Sequence, residues 1–172
     1  MLSIAALALA AATATSSPDT LSTTPWWEKI TITYGDDGSR RSCNYESSRS
    51  RGGKEACDDD GVQITAAKAS TGNGGVQTKI TFERSFTPGA MPNIRDMEPG
   101  DELLGGLVMM VAIARDGSVR GCSVVAETGD AKPEYGCDQV RAERFQASLS
   151  GEQDSQLGTL TVLVYGHEEE VV

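Results

Sequence analysis

The sequence predicts an α+β protein made of two tandem small antiparallel-sheet units, each with a hairpin, a short helix or loop, and a final strand. Three observations carry this. First, short stretches alternate apolar and polar residues, as in Ile30, Ile32 and Tyr34 with Thr31 and Thr33 between them, which is the period of a half-buried strand. Second, Asp36-Asp37-Gly38 and Asp116-Gly117 each separate two such stretches, and glycine tolerates the positive φ that tight hairpin turns require. Third, Asp37–Cys43 and Asp116–Cys122 are identical at five of seven positions; Cys57 follows Cys43 by 14 residues and Cys137 follows Cys122 by 15; Ile80 and Leu160 each lie 23 residues beyond the second cysteine of their half. Matching intervals of this kind mark a duplicated structural unit.

The elements come in order. The first unit opens on a strand from Lys29 to Tyr34, returns through Arg41, Cys43 and Tyr45, passes a loose turn at Thr71-Gly72-Asn73-Gly74-Gly75, and closes on a strand from Val76 to Phe82. The second pairs Val108–Ile113 with Val119–Val125 and ends on Thr159–Tyr165. Between them, Asp138 to Phe145 has good helix formers, an acidic first turn and basic residues near its end, as the helix dipole prefers. The equivalent place in the first unit reads Asp58-Asp59-Asp60-Gly61, where only a remnant of a helix is expected. Trp26 and Trp27 are expected to cap the core of the first unit. The resulting domains are 1–14 signal peptide, 15–25 flexible leader, 26–88 first repeat, 89–102 linker, 103–167 second repeat and 168–172 acidic tail.

Residues 1–14 are an uncharged apolar run with Ala12 and Ala14 at a cleavage-site spacing, too short for a membrane span and about the length of a signal-peptide core. The other long apolar stretch, Leu103 to Ala114, is interrupted by Gly105-Gly106 and followed by Arg115-Asp116. A soluble, exported protein with no membrane span after cleavage is expected. The formal net charge of −10 argues against nucleic acid or an anionic membrane as the main partner. The basic residues Arg40, Arg41, Arg49, Arg51 and Lys54 lack amphipathic periodicity and are expected in a solvated, mobile loop.

Four cysteines behind an export signal point to disulfides. No C-x-x-C pair is present and His167 is the single histidine, so zinc is not expected. A unit of about 60 residues buries too little surface to be more than marginally stable, and closing a loop of about 15 residues is worth about 3 kcal/mol. Repeat symmetry favours Cys43–Cys57 and Cys122–Cys137, although pairings between the halves remain open by sequence alone.

The second half resembles the C-terminal domain of TonB-family proteins, the periplasmic part of energy transducers in Gram-negative bacteria. The resemblance rests on Leu107–Ile113, Asp116-Gly117, Val119–Val125, Thr128-Gly129, Cys137–Arg144, Phe145-Gln146-Ala147 and Leu160–Tyr165; residues 27–86 fit only as a degenerate copy. Met91-Pro92 with Pro99-Gly100 departs from the family's opening segment, and the six prolines are scattered where a transducer has a Pro-rich spacer. The resemblance implies a periplasmic adaptor in transport across the envelope, whose protein or peptide partner, an outer-membrane receptor segment, adds as a strand to the last strand around Thr159, Thr161 and Leu163. The second reading is a structural or stress-related envelope protein.

No catalytic site, metal or cofactor is expected. His167 falls beyond the last predicted strand beside Glu168-Glu169-Glu170, as a solvated tail histidine; Asp58-Asp59-Asp60 and Glu168-Glu169-Glu170 lack calcium-loop spacing; and the Gly72–Gly75 stretch has neither a dinucleotide fingerprint nor a phosphate-loop lysine.

Overall fold

β-Branched and aromatic side chains fit a pleated surface with one buried face, and they make up most of the segment Trp26–Tyr34 and half of Lys79–Pro88. The computed structural model describes residues 20–35, 39–49, 55–57, 79–92, 97–146 and 154–167. In chain order its elements are β1 (Trp26–Tyr34), β2 (Arg40–Ser47), β3 (Glu55–Ala56), β4 (Lys79–Pro88), β5 (Asp101–Ala114), β6 (Val119–Gly129), α1 (Cys137–Ala142) and β7 (Ser155–His167). The strands form one antiparallel sheet in the order β3-β2-β1-β4-β7-β5-β6. The protein is therefore mostly antiparallel sheet, with one short helix among the described residues.

The halves expected from the repeat meet inside this sheet. β4 and β7 pair along the whole ten-residue length of β4, from Lys79↔His167 to Pro88↔Gly158. Outward from this seam the order is β4-β1-β2 on one side and β7-β5-β6 on the other, so each hairpin lies outside its own final strand.

Register places large apolar residues in rows across the strands. Trp26 faces Phe86, Phe86 faces Leu160, and Leu160 faces Met109. All four are buried, together with Val111, Ile113 and Val162. α1 and the chain after it cover this face, contributing Val140 and Phe145 to the same cluster, and the Phe86 and Phe145 rings lie 5.3 Å apart. The helix begins at Gly136, whose N–H donates to Gln139 Oε1 at 3.0 Å, and ends where Glu143 turns extended at ψ 158°. That exit, earlier than the sequence suggests, lets Phe145 point into the core.

The Asp116-Gly117 turn locks onto the same segment. Gly117 has φ +82°, and a Cβ there would collide with the Phe145 carbonyl, while Phe145 N–H donates to Gly117 O at 2.8 Å. The first turn, Asp36-Asp37-Gly38, lies outside the described residues, as do the signal segment, Asp58-Asp59-Asp60, the Gly72–Gly75 stretch and the acidic tail.

Several expectations need correction. The leader does not end in a flexible stretch at Pro25: Leu21 is 2% exposed and bridges in parallel to Phe145, its N–H donating to Arg144 O and its carbonyl accepting from Gln146 N–H, both at 2.7 Å. Apolar burial beside α1 outweighs the local Ser/Thr-rich composition. The linker ends at Gly100, since Asp101 and Glu102 already pair with His167 and Gly166. Gly105-Gly106 lies inside β5 because the backbone passes close by there: a Cβ on Gly105 would strike the Ala131 carbonyl. Arg40 and Arg41 are on β2, Arg40 paired with Tyr34 of β1 and Arg41 at a bulge beside it, not in a mobile loop.

Leu21→Ala should lower unfolding free energy by about 2–4 kcal/mol, the usual cost of emptying a buried leucine site. Urea titration followed by tryptophan fluorescence would measure it; a change no larger than that of an exposed-site control would show that the segment is not part of the core.

Candidate protein-binding edge

Both predicted disulfides sit at corners of the sheet. Cys43 on β2 is bridged to Cys57 just past β3, and Cys122 on β6 to Cys137 at the start of α1, with Cα separations of 5.4 and 5.5 Å. Each fastens the outer strand of a hairpin to the next element of the chain. The chain-entropy estimate of about 3 kcal/mol for a loop of about 15 residues applies to both.

The predicted acceptor residues Thr159, Thr161 and Leu163 are not on an edge. β7 is paired on both sides: Thr159 faces Thr87 and Met110, Thr161 faces Ser85 and Val108, and Leu163 faces Glu83 and Gly106. Thr159 and Thr161 are buried, and Thr159 Oγ1 donates to Gly89 O at 2.8 Å. An added strand would have to displace β4. The final strand forms where it was expected, but pairing with both β4 and β5 places it in the interior of the sheet.

The ends of the described sheet are the two-residue β3 and the eleven-residue β6. Among the described residues β6 pairs only with β5, and its register skips Arg120 and Val125 at two bulges. One end of this edge is covered. Beside the Cys122–Cys137 bridge, Arg141 Nη2 donates to the Cys122 carbonyl at 3.4 Å, a weak contact that nevertheless occupies an edge acceptor. Beyond it, Val124 and Val125 are 49% and 55% exposed, and Glu127 holds the Lys132 ammonium at 2.9 Å in solvent. Edge strands present unpaired N–H and C=O groups, so the stretch from Ser123 to Thr128 can accept an extended chain.

The sequence reading overlooked a half-buried polar cluster on the helix-covered face. Glu28 on β1 faces Arg84 on β4. Arg84 Nε donates to Glu28 Oε1 at 2.6 Å, its Nη2 closes a second contact with the same oxygen, and Nη1 donates to Glu143 Oε1 at 3.1 Å. Tyr135 donates to Glu143 Oε1 at 2.8 Å, while Tyr45 and Arg49 donate to Glu28 Oε2. The Arg84 guanidinium lies 4.5 Å from the Tyr135 ring centroid and 5.5 Å from that of Trp26, within cation–π range. Burial opposes the Arg84 charge, but Glu28, Tyr135 and Glu143 outweigh it and raise its pKa. Burial likewise raises the Tyr135 phenol well above its ordinary range. A signal existed in the sequence: Glu28 and Arg84 have the inward phase of Trp26, Ile30 and Ile32 and of Ile80, Phe82 and Phe86, where a charge needs a buried partner.

His167 is the last residue of β7, its Nδ1 3.0 Å from Asp101 Oδ1, so it is held at the sheet end and not solvated in a tail. Nearby, Lys29, Glu83, Met97, Glu98, Asp101, Leu163 and Tyr165 line a cavity of about 40 Å³, far below the several hundred Å³ usual for small-molecule sites. No described helix is long and apolar enough to cross a membrane.

No protein family, curated protein or solved structure matches the chain.

Arg84→Ala would leave the half-buried Glu28 with Tyr45 and Arg49 as partners, and should cost about 1–3 kcal/mol, measurable by urea unfolding; a loss near that of an exposed arginine would show that the cluster is incidental. For Tyr135 the sign comes from its raised folded pKa: the folded state holds the phenolic proton more tightly, so stability is constant below the unfolded value of about 10 and falls as pH rises above it. Tyr135→Phe should flatten the alkaline limb of the stability profile, and an unchanged limb would contradict this.

Proposed function

We propose that the protein is an exported, TonB-like protein-binding module of the periplasm that takes up a partner segment by strand addition at β6. The observation that carries this is the long, one-sided β6 edge, open from Ser123 to Thr128 with Val124 and Val125 exposed. Main-chain hydrogen bonds to such an edge supply affinity, and neighbouring side chains supply selectivity. Two disulfides among the described residues fit an oxidising compartment, in keeping with the apolar N-terminal run. The partner by analogy is an outer-membrane receptor segment, in transport across the envelope. No enzymatic activity is part of this proposal.

The matched heptapeptides, the 14- and 15-residue cysteine loops and the strand order on either side of the β4–β7 seam support two duplicated units joined side by side. In this reading the first unit, through β4, occupies the edge of β7 that the family resemblance would assign to a receptor. The same occupancy favours the second reading, a structural or stress-related envelope protein with no receptor role.

Val125→Pro separates the two. Proline is tolerated at bulges and edges, and Val125 has no register partner on β5, so the fold should persist, as judged by an unchanged circular dichroism spectrum. Recovery of an outer-membrane receptor from a periplasmic extract by the wild type, and its loss with Val125→Pro, is the expected result. Equal recovery by both would overturn docking at β6, and no recovery by either would favour the structural reading.

A further inference from the structure

The exposed side chains of β6 specify the side chains an added strand should carry. Val124 faces Met109 and Glu127 faces Leu107, and both β5 residues belong to or pack against the core cluster. Val124 and Glu127, three apart in sequence, therefore share one face of the sheet. The register skip at Val125 makes this possible, since residues three apart on a regular strand would point to opposite faces. Along an added strand, the positions beside them are two residues apart.

We infer that the partner segment of β6 is an extended peptide carrying a lysine or arginine two residues before an apolar side chain, the cation meeting Glu127 and the apolar group covering Val124. This rests on the strand-addition reading above. The order comes from antiparallel addition, the more stable pairing, in which the peptide residue nearer its N-terminus lies beside the higher-numbered residue of β6. Charge complementarity is already on display at this place. Glu127 holds the ammonium of Lys132, a residue 77% exposed in the loop beyond the strand. Its hydrogen bond to Glu127 raises the Lys132 pKa, so the carboxylate favours a cation there. An exposed ion pair of this kind contributes little by itself, and an incoming lysine replaces one ammonium with another. The overall charge of −10 also draws a cationic segment in.

The test uses the full mature protein and three fluorescently labelled synthetic peptides of equal length, with Lys-x-Val, Gln-x-Val or Glu-x-Val at their centre and otherwise identical residues. By fluorescence anisotropy, the Lys peptide should bind about ten-fold more tightly than the Glu peptide, in line with cross-strand charge pairs, with the Gln peptide between. Glu127→Lys, an exposed substitution, should reverse the order, and Lys132→Ala should tighten binding of the Lys peptide. Equal binding of all three peptides, abolished by Val125→Pro, would overturn the side-chain specificity while leaving strand addition intact. Binding insensitive to Val125→Pro, or no binding of any peptide, would overturn both.

Discussion

The ladder between β4 and β7 is the constraint on which the rest of the structure depends. Each half brings a hairpin and a final strand, and a sheet of that size has two exposed sides and a small core. Pairing the two final strands along the length of β4 removes one edge from each half and brings Trp26, Phe86, Leu160 and Met109 into a single row. That row is the floor on which Val140, Phe145 and Leu21 pack. Without the seam, the apolar face would be divided and α1 would have only its own hairpin to cover.

The half-buried polar cluster works across the same seam. Arg84 is on β4 of the first half, Glu143 and Tyr135 flank the helix of the second, and Glu28 completes the group from β1. A buried ion pair is a poor source of net stability, because desolvation offsets much of its attraction. Its effect here is geometric: a charge sealed under Trp26 and Tyr135 is satisfied only when the helix segment sits in one place over the sheet. Leu21 strengthens that placement by joining the chain before β1 to the chain after α1.

The outer margins obey a different logic. One disulfide secures β2 to the stretch after β3, and the other, packed against the core cluster, secures β6 to α1. β6 is guarded at Cys122 by the bridge and by Arg141, and its bulges interrupt the regular row that would favour indiscriminate pairing. The stretch beyond, exposed among the described residues, is short and bears both apolar and acidic side chains.

Much of the local structure was legible in the sequence. Alternation around Ile30 and Ile32 gave β1, the Asp116-Gly117 turn gave the β5–β6 hairpin, and the spacing of Cys43 with Cys57 and Cys122 with Cys137 gave both bridges. These depend on side-chain period, on the φ of one glycine and on loops of 14 and 15 residues, all properties of neighbouring residues. The site was less legible. Thr159, Thr161 and Leu163 have the pattern of any half-buried strand, and nothing local distinguishes an edge strand from a central one. Which strand lies beside which was decided by burial summed over distant segments: β4 completed the hydrogen bonds of β7, so the open edge fell to β6. The sequence by itself determined the strands, the turns and the staples; only the tertiary structure decided the order of the strands, and with it which of them lie at the margins of the described sheet.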